Sequence, residues 1–383
     1  MLRYHVQEQR SSAVGSSGWV SEGLGSSRRW AAGRFDAPPP DAMAKNDVMK
    51  LLLITGAGAS RNLNSQDSSP IMLMDEWAPA LRDLLGPALS ELLGLHHVVT
   101  GQDFEAHLGE LMRWLSLKPF NKKFAWMTSG TDSGRDQSVV NFTDALGNAE
   151  RRGERLQQTL DESLFEQFGP ARFDSGVAGE AYDRLLSDAG GGNRPGRLIC
   201  ATTNYDRSLE LALASLNIQP RTGFRYDGIR VPTLTADALG SYETQPSILY
   251  LHGAVGWYRD DRGSIVAYPA EERYRPEFGQ PAVLYPSLNK AIGDGMTAQI
   301  WVEFDRALRD ATHVLVVGHG LADEHLVQRL TTASAAIGVT YLTDADQKFV
   351  GERVPNAVAI KMEFGPTPHY DRAAMAAWRN SED

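Results

Sequence analysis

The sequence predicts an α/β fold in which a parallel sheet carries helices on both faces and a large helical insertion. Three observations predict it. Five short apolar runs of strand length recur along the chain, and the first of them opens directly into a glycine-rich turn. The long gap between the first run and the second is filled by sequence of helical period. Strands buried on both faces read as continuous apolar runs, as these do, and not as alternating ones.

The chain has 383 residues of 42% hydrophobic composition, enough for one large core with an insertion or two cores sharing an interface. Its first 45 residues or so are a different material, rich in Ser, Gly and Arg and closing on Ala37-Pro38-Pro39-Pro40. They read as a disordered N-terminal extension over 1–46, with the folded domain over 47–383. A start at Met43 or Met49 is the plainer alternative. Between Ser11 and Phe35 there is no apolar run of the kind a secretory signal needs.

A formal net charge of -10 makes nucleic acid an unexpected partner, because the surface as a whole repels a phosphate backbone. The single cysteine, Cys200, excludes an internal disulfide and a four-cysteine zinc site. No stretch approaches the roughly 20 apolar residues of a membrane helix, so a cytoplasmic location is expected.

In chain order, Leu51-Leu52-Leu53-Ile54 is the first strand and meets Gly56-Ala57-Gly58-Ala59-Ser60, the way a dinucleotide fold begins. An insertion over 65–190 follows. Leu81, Leu84, Leu85, Ala88, Leu89 and Leu92 fall on one helical stripe, and Phe104, Leu108, Leu111 and Leu115 on a second. Leu156, Leu160, Leu164 and Phe168 make a third, while the Ser, Thr, Asp and Gly of Asn121 to Asn148 predict a loop. Further strands are expected at Leu198 to Ala201, Ile248 to Leu251, Val314 to Val317 and Val339 to Leu342, with an extra one over Ala357 to Met362. The architecture is Rossmann-like.

Four strand ends carry chemistry-bearing residues. Glycines after the first strand let backbone approach a pyrophosphate, although a tight turn without ligand explains an isolated pair equally well. The dinucleotide fingerprint is broken, since Arg61 stands where its third glycine belongs. Thr202-Thr203-Asn204-Tyr205-Asp206 ends the second strand, and Asp206 alone reads best as a cap for a helix beginning at Arg207. His252 in Leu251-His252-Gly253 ends the third, where a histidine acts as a base near neutral pH or serves only structure. Gly318-His319-Gly320-Leu321-Ala322-Asp323 ends the fourth, ahead of a helix over Glu324 to Ser334. A parallel sheet gathers all four at its carboxyl edge.

In this combination and order the segments resemble the sirtuin superfamily: GAGAS its first nucleotide loop, TTNYD its Thr-Gln-Asn-Ile-Asp segment, LHG its histidine strand, GHGLAD its Gly-Thr-Ser loop. More narrowly they are similar to zinc-free bacterial sirtuin-like defence proteins, through FEAHLGEL and through VLYPSLNKA followed by Trp301. The resemblance spans Leu51 to Asp344. The cysteine-bound zinc module and the Pro-Asp-Phe-Arg element of the deacylases are missing.

The resemblance implies an NAD glycohydrolase that needs no zinc and depletes NAD in antiphage defence, as a homo-oligomer or beside a partner ATPase or other defence subunit. Asn204 would hold the ribose or orient water, His252 would accept a proton, and Asp206 would face the nicotinamide amide or support Asn204. Ala57, Gly58 and Ser60 would cradle the pyrophosphate, and Gly56 and Thr203 would also bind the cofactor. Gly318, His319, Gly320 and Asp323 would contact the second ribose, and Asp344 the adenosine hydroxyls. A nucleotide sensor without turnover and a protein deacylase are the rival readings.

Overall fold

The computed structural model describes residues 49–64, 76, 79–80, 83–87, 137–226, 232–239, 245–260, 262–268, 278–284 and 295–381. Its main sheet consists of β1 (Lys50–Thr55), β2 (Arg197–Thr202), β5 (Ser247–Tyr250), β9 (His313–Val317), β10 (Ala336–Tyr341), β11 (Val358–Glu363) and β12 (His369–Tyr370). The spatial order is β12-β11-β10-β9-β1-β2-β5. All neighbours pair in parallel except β12, which closes the edge antiparallel to β11.

Counting only the parallel strands, the order is that of the doubly wound dinucleotide fold: the chain builds outward from β1 through β2 to β5, then returns to β9 on the other side of β1. The topological switch point therefore lies between β1 and β9. Their carboxyl ends, Thr55 and Val317, are cross-strand partners, so the two glycine loops leave the sheet side by side.

Five consecutive residues of β1, Leu51 to Thr55, are buried, as are the last five of β2 and the last four of β9. Successive strand side chains point to opposite faces, so unbroken burial requires cover on both sides. Helices supply it. Cys200 lies at the centre of this layer, fully buried, and burial pushes its thiol up to about 12, which leaves it a small apolar filler without thiolate chemistry.

Between β1 and β2 the described part of the insertion is a long helix α2 (Gln137–Phe168) and α3 (Ser175–Ala189), after the four-residue α1 (Ala57–Ser60). The third stripe behaves as its period predicts: Leu156, Leu160, Leu164 and Phe168 are all buried. Asp174 caps α3, accepting from the amides of Gly176 and Val177.

Two expectations change here. The loop predicted over 121–148 is helical from Gln137 onward, because extending an established helix fixes one residue per hydrogen bond while nucleating one fixes several. The polar composition that suggested a loop is too weak to break it; residues 121–136 lie outside the described part. Of the first stripe, Leu85 is buried but Leu84 is 58% exposed, and its remaining members, with the whole stripe from Phe104 to Leu115, lie outside the described residues.

A second sheet went unread in the sequence. β3 (Phe224–Arg225), β4 (Thr233–Leu234), β6 (Trp257–Arg259), β7 (Ile265–Ala267) and β8 (Gln280–Pro281) form an antiparallel unit in the order β3-β4-β7-β6-β8. Strands of two or three residues show no period to detect. An aromatic contact binds this unit to the main sheet: Trp257 lies edge-on to Tyr250 of β5 at 5.1 Å, and within the unit it packs edge-on against Phe224 of β3 at 4.8 Å.

Candidate active site

The first glycine loop is shaped by the second. Gly56 donates its amide to the Val317 carbonyl and Gly58 to the Gly318 carbonyl, both at 2.9 Å. A Cβ on Gly56 would lie 2.6 Å from the Gly318 oxygen, and one on Gly318 would lie 2.1 Å from the Ala59 amide nitrogen. Gly318 also sits at φ +62, in the left-handed region that a side chain disfavours. The glycines at these positions thus let two backbones touch. The amides of Gly56, Gly58 and Ala59 all donate to protein carbonyls, while Ala57 is half-buried at the rim and Gly320 is exposed with open space about it.

The segment after β2 threads beneath the first loop. Thr203 donates its amide to the Thr55 carbonyl at 3.1 Å. Asn204 is buried, and its Nδ2 donates twice, to the Gly56 carbonyl at 3.0 Å and to Ser60 Oγ at 2.8 Å. Ser60 is fully buried and also contacts Ser208 Oγ at 3.0 Å. The structure therefore places Ser60 below the loop surface, among side chains, although the sequence reading put it against a pyrophosphate.

Asp206 is 3% exposed and its Oδ1 accepts the Ser208 amide at 2.9 Å, so that α4 (Ser208–Ser215) begins one residue later than expected. This is an Asx turn one residue ahead of the helix's N-cap, Arg207, and not the capping role the sequence offered as the alternative for Asp206. Burial holds its carboxyl above the usual range, opposed by bonds from Ser208 and the Ser60 hydroxyl. Folding thus favours the protonated form. Stability contributed by that proton is greatest at low pH and falls as pH rises from about 3.9, the unfolded value, through the higher folded value. Asp206→Asn keeps an Oδ1 acceptor for Ser208 and removes the charge. It is expected to be no less stable than the parent at pH 7.5 and to flatten the decline from pH 4.5, measured by urea unfolding; identical pH dependence in both proteins refutes this.

His252 lies just beyond β5 and is 4% exposed. Its Nδ1 is 3.0 Å from the Thr203 carbonyl and its Nε2 is 2.9 Å from Asp323 Oδ2. Asp323 caps α7 (Glu324–Thr331), its Oδ1 accepting from the amides of His325 at 3.0 Å and Leu326 at 3.3 Å. The resemblance makes Asp323 a contact of the second ribose; the sequence reading gives it no capping role, and nothing in the sequence pairs it with a histidine 71 positions away.

In the second loop His319 Nδ1 accepts the Leu321 amide at 2.8 Å, which fixes that nitrogen as unprotonated. Gly318 donates its amide to Thr340 Oγ1 at 3.1 Å. Asp344 stands apart from these contacts: it opens α8 (Asp344–Arg353), its side chain is 92% exposed, and its ionic neighbour is Lys361 at 3.5 Å. The structure thus joins Gly56 to Ser60, Thr203 to Asp206, His252 and Gly318 to Asp323 at one edge, with Asp344 beyond them. Two contributors were missed: the Thr203 carbonyl, invisible to side-chain reading, and Ser208, which reads as an ordinary helix residue.

Strand order, switch point and facing glycine loops define a doubly wound α/β protein with its candidate site at the carboxyl edge. Within it, residues 199–356 match the family described as SIR2-like domain, from the middle of β2 to just before β11. The first glycine loop precedes the matched span. No curated protein matches the chain significantly. Among solved structures, a Sir2 homologue in complex with NAD is 12% identical, with a TM-score of 0.35 and cover of 87% of this chain and 89% of that one. A structure described as addressing the mechanism and regulation of Sir2 enzymes is 14% identical, with a TM-score of 0.34 and cover of 87% and 91%. Among the described residues no helix is long and apolar enough to cross a membrane. No group of three or more His, Cys, Asp or Glu there could hold a metal ion.

Proposed function

We propose that this protein binds NAD at the carboxyl edge of the sheet and hydrolyses its nicotinamide–ribose bond. The observation that carries the proposal is the convergence of Asn204 and His252, from two adjacent strands, with both glycine loops at the switch point. The SIR2-like match across β2, β5, β9 and β10 supports the same reading.

The residues fit NAD unevenly. Ala57 and Gly320 stand at the rim where backbone can meet a phosphate or ribose, whereas the neighbouring glycine amides are already bonded within the protein. In the proposed reaction a water oxygen bonds to the anomeric carbon as the bond to the pyridinium nitrogen breaks. Nicotinamide leaves as a neutral molecule. The water's proton passes to His252, and charge developing on the ribose needs oriented dipoles beside it. Asn204, tied to Gly56 and Ser60, orients the loop beside the sugar; Asp206, bonded to Ser208 and Ser60, supports that arrangement from below.

By the motifs it shares with zinc-free sirtuin-like defence proteins, the proposal extends to depletion of NAD during phage infection, in the cytoplasm, by a homo-oligomer or with a partner ATPase or other defence subunit. A deacylase reading is disfavoured because one cysteine cannot build the four-cysteine zinc module.

One observation favours a second reading, a nucleotide sensor without turnover: both ring nitrogens of His252 are engaged by protein acceptors. Incubating purified protein with NAD and measuring free nicotinamide separates the two. Catalytic release supports hydrolysis; saturable binding of NAD with no release under any condition supports the sensor.

A further inference from the structure

The hydrogen bonds at His252 specify its charge. The Thr203 carbonyl can only accept, so Nδ1 carries a proton. Nε2 faces a carboxylate oxygen of Asp323, so a second proton lies between them. That carboxylate's other oxygen accepts two amides at the start of α7, an arrangement that favours its ionised form. The second proton therefore belongs to the ring, and His252 is an imidazolium. Groups that face it include Asp323 from the α7 cap, the Thr203 carbonyl, and the Tyr205 ring at 6.4 Å between centroids. Both members of the pair have side chains only 5% exposed.

An imidazolium has no lone pair with which to accept a proton. The loop that delivers Asp323 is itself held in an uncommon shape. Leu321 lies at φ +50, its amide bonded to His319 and its carbonyl accepting from Arg353 at 3.0 Å. Arg353 also pairs with Glu324 at 2.7 Å, next to Asp323. Leu321, in a backbone region costly to a side chain, is thus clamped from α8 while Asp323 reaches His252.

We infer that Asp323 is a positioning residue that holds His252 charged and occupied in a resting state, and that displacement of the Gly318 to Asp323 loop frees Nε2 for proton acceptance. The inference rests on the proposed role of His252 as the base. On release the Nε2 proton passes to water, and the Thr203 carbonyl keeps the remaining proton on Nδ1, leaving an Nε2 lone pair.

The test uses the full chain labelled with ¹⁵N-histidine, titrated by NMR, with His252→Gln to assign the ring. Asp323→Asn preserves a good helix cap and removes the counter-charge. The wild-type His252 signals should keep the imidazolium pattern past neutral pH, and those of Asp323→Asn should shift to the neutral Nδ1–H tautomer at least one pH unit lower. Unchanged titration in the variant, or a neutral wild-type ring at pH 6, overturns the inference. In the activity arm, nicotinamide release by Asp323→Asn should exceed wild type severalfold at pH 7; equal or slower release from a folded variant overturns the resting-state role. If neither protein releases nicotinamide, the hydrolase reading fails and the NMR result alone decides the Asp323–His252 pair.

Discussion

Gly318→Ala is expected to cost about 4 kcal/mol of folding stability, a large share of a typical domain's margin of about 5–15 kcal/mol. Two independent terms add. At φ +62 a Cβ carries the left-handed penalty of about 1–2 kcal/mol. The same atom would lie 2.1 Å from the Ala59 nitrogen and 2.5 Å from the Gly58 carbonyl carbon, and both are backbone that cannot swing aside. The clash separates the two glycine loops and strains the bond from Gly58 to the Gly318 carbonyl. Gly320→Ala is the matched control, because nothing lies within 4 Å of a Cβ there. Urea unfolding of the two variants should differ by several kcal/mol; a Gly318→Ala protein within 1 kcal/mol of the control would refute the account of the loop contact.

Asn204→Ala comes next, at about 2–3 kcal/mol of stability. The substitution removes both Nδ2 bonds from a buried position, each loss costing on the order of 1–3 kcal/mol at most, since the Gly56 carbonyl keeps the Ala59 amide. The two losses are not additive, since Ser60 retains Ser208. This has a consequence for interpreting activity. Inactivity of Asn204→Ala alone is weak support for a catalytic role, because the variant also loosens the first glycine loop from the segment beneath it. A melting temperature unchanged from wild type would refute the tie between the two segments.

Much of the fold was legible because buried parallel strands announce themselves as apolar runs. Leu51 to Ile54 and Val314 to Val317 were read to within a residue or two, and the Asn204 and His252 segments were placed at the ends of the strands now seen as β2 and β5. The stripe from Leu156 to Phe168 was legible for the same reason, a strong period over several turns. What stayed hidden is long-range or backbone-borne. The helix from Gln137 hides behind polar residues, and the small second sheet has strands too short for any period. At the site, glycines read as a phosphate cradle turn out to face each other, since a glycine records only that something approaches closely and not what. The pairing of Asp323 with His252 depends on β5 and β9 delivering two loops to one edge, which no local pattern encodes.

The central claim is that His252 takes a proton during cleavage of NAD. The direct test measures nicotinamide and ADP-ribose formed from NAD by the full-length protein and by His252→Gln, whose amide can still donate to Asp323 but cannot accept a catalytic proton. The account predicts equimolar products from wild type and a loss of at least about 100-fold in the variant when rates are compared per folded molecule, below the variant's own melting temperature. Equal rates from the two proteins would contradict it.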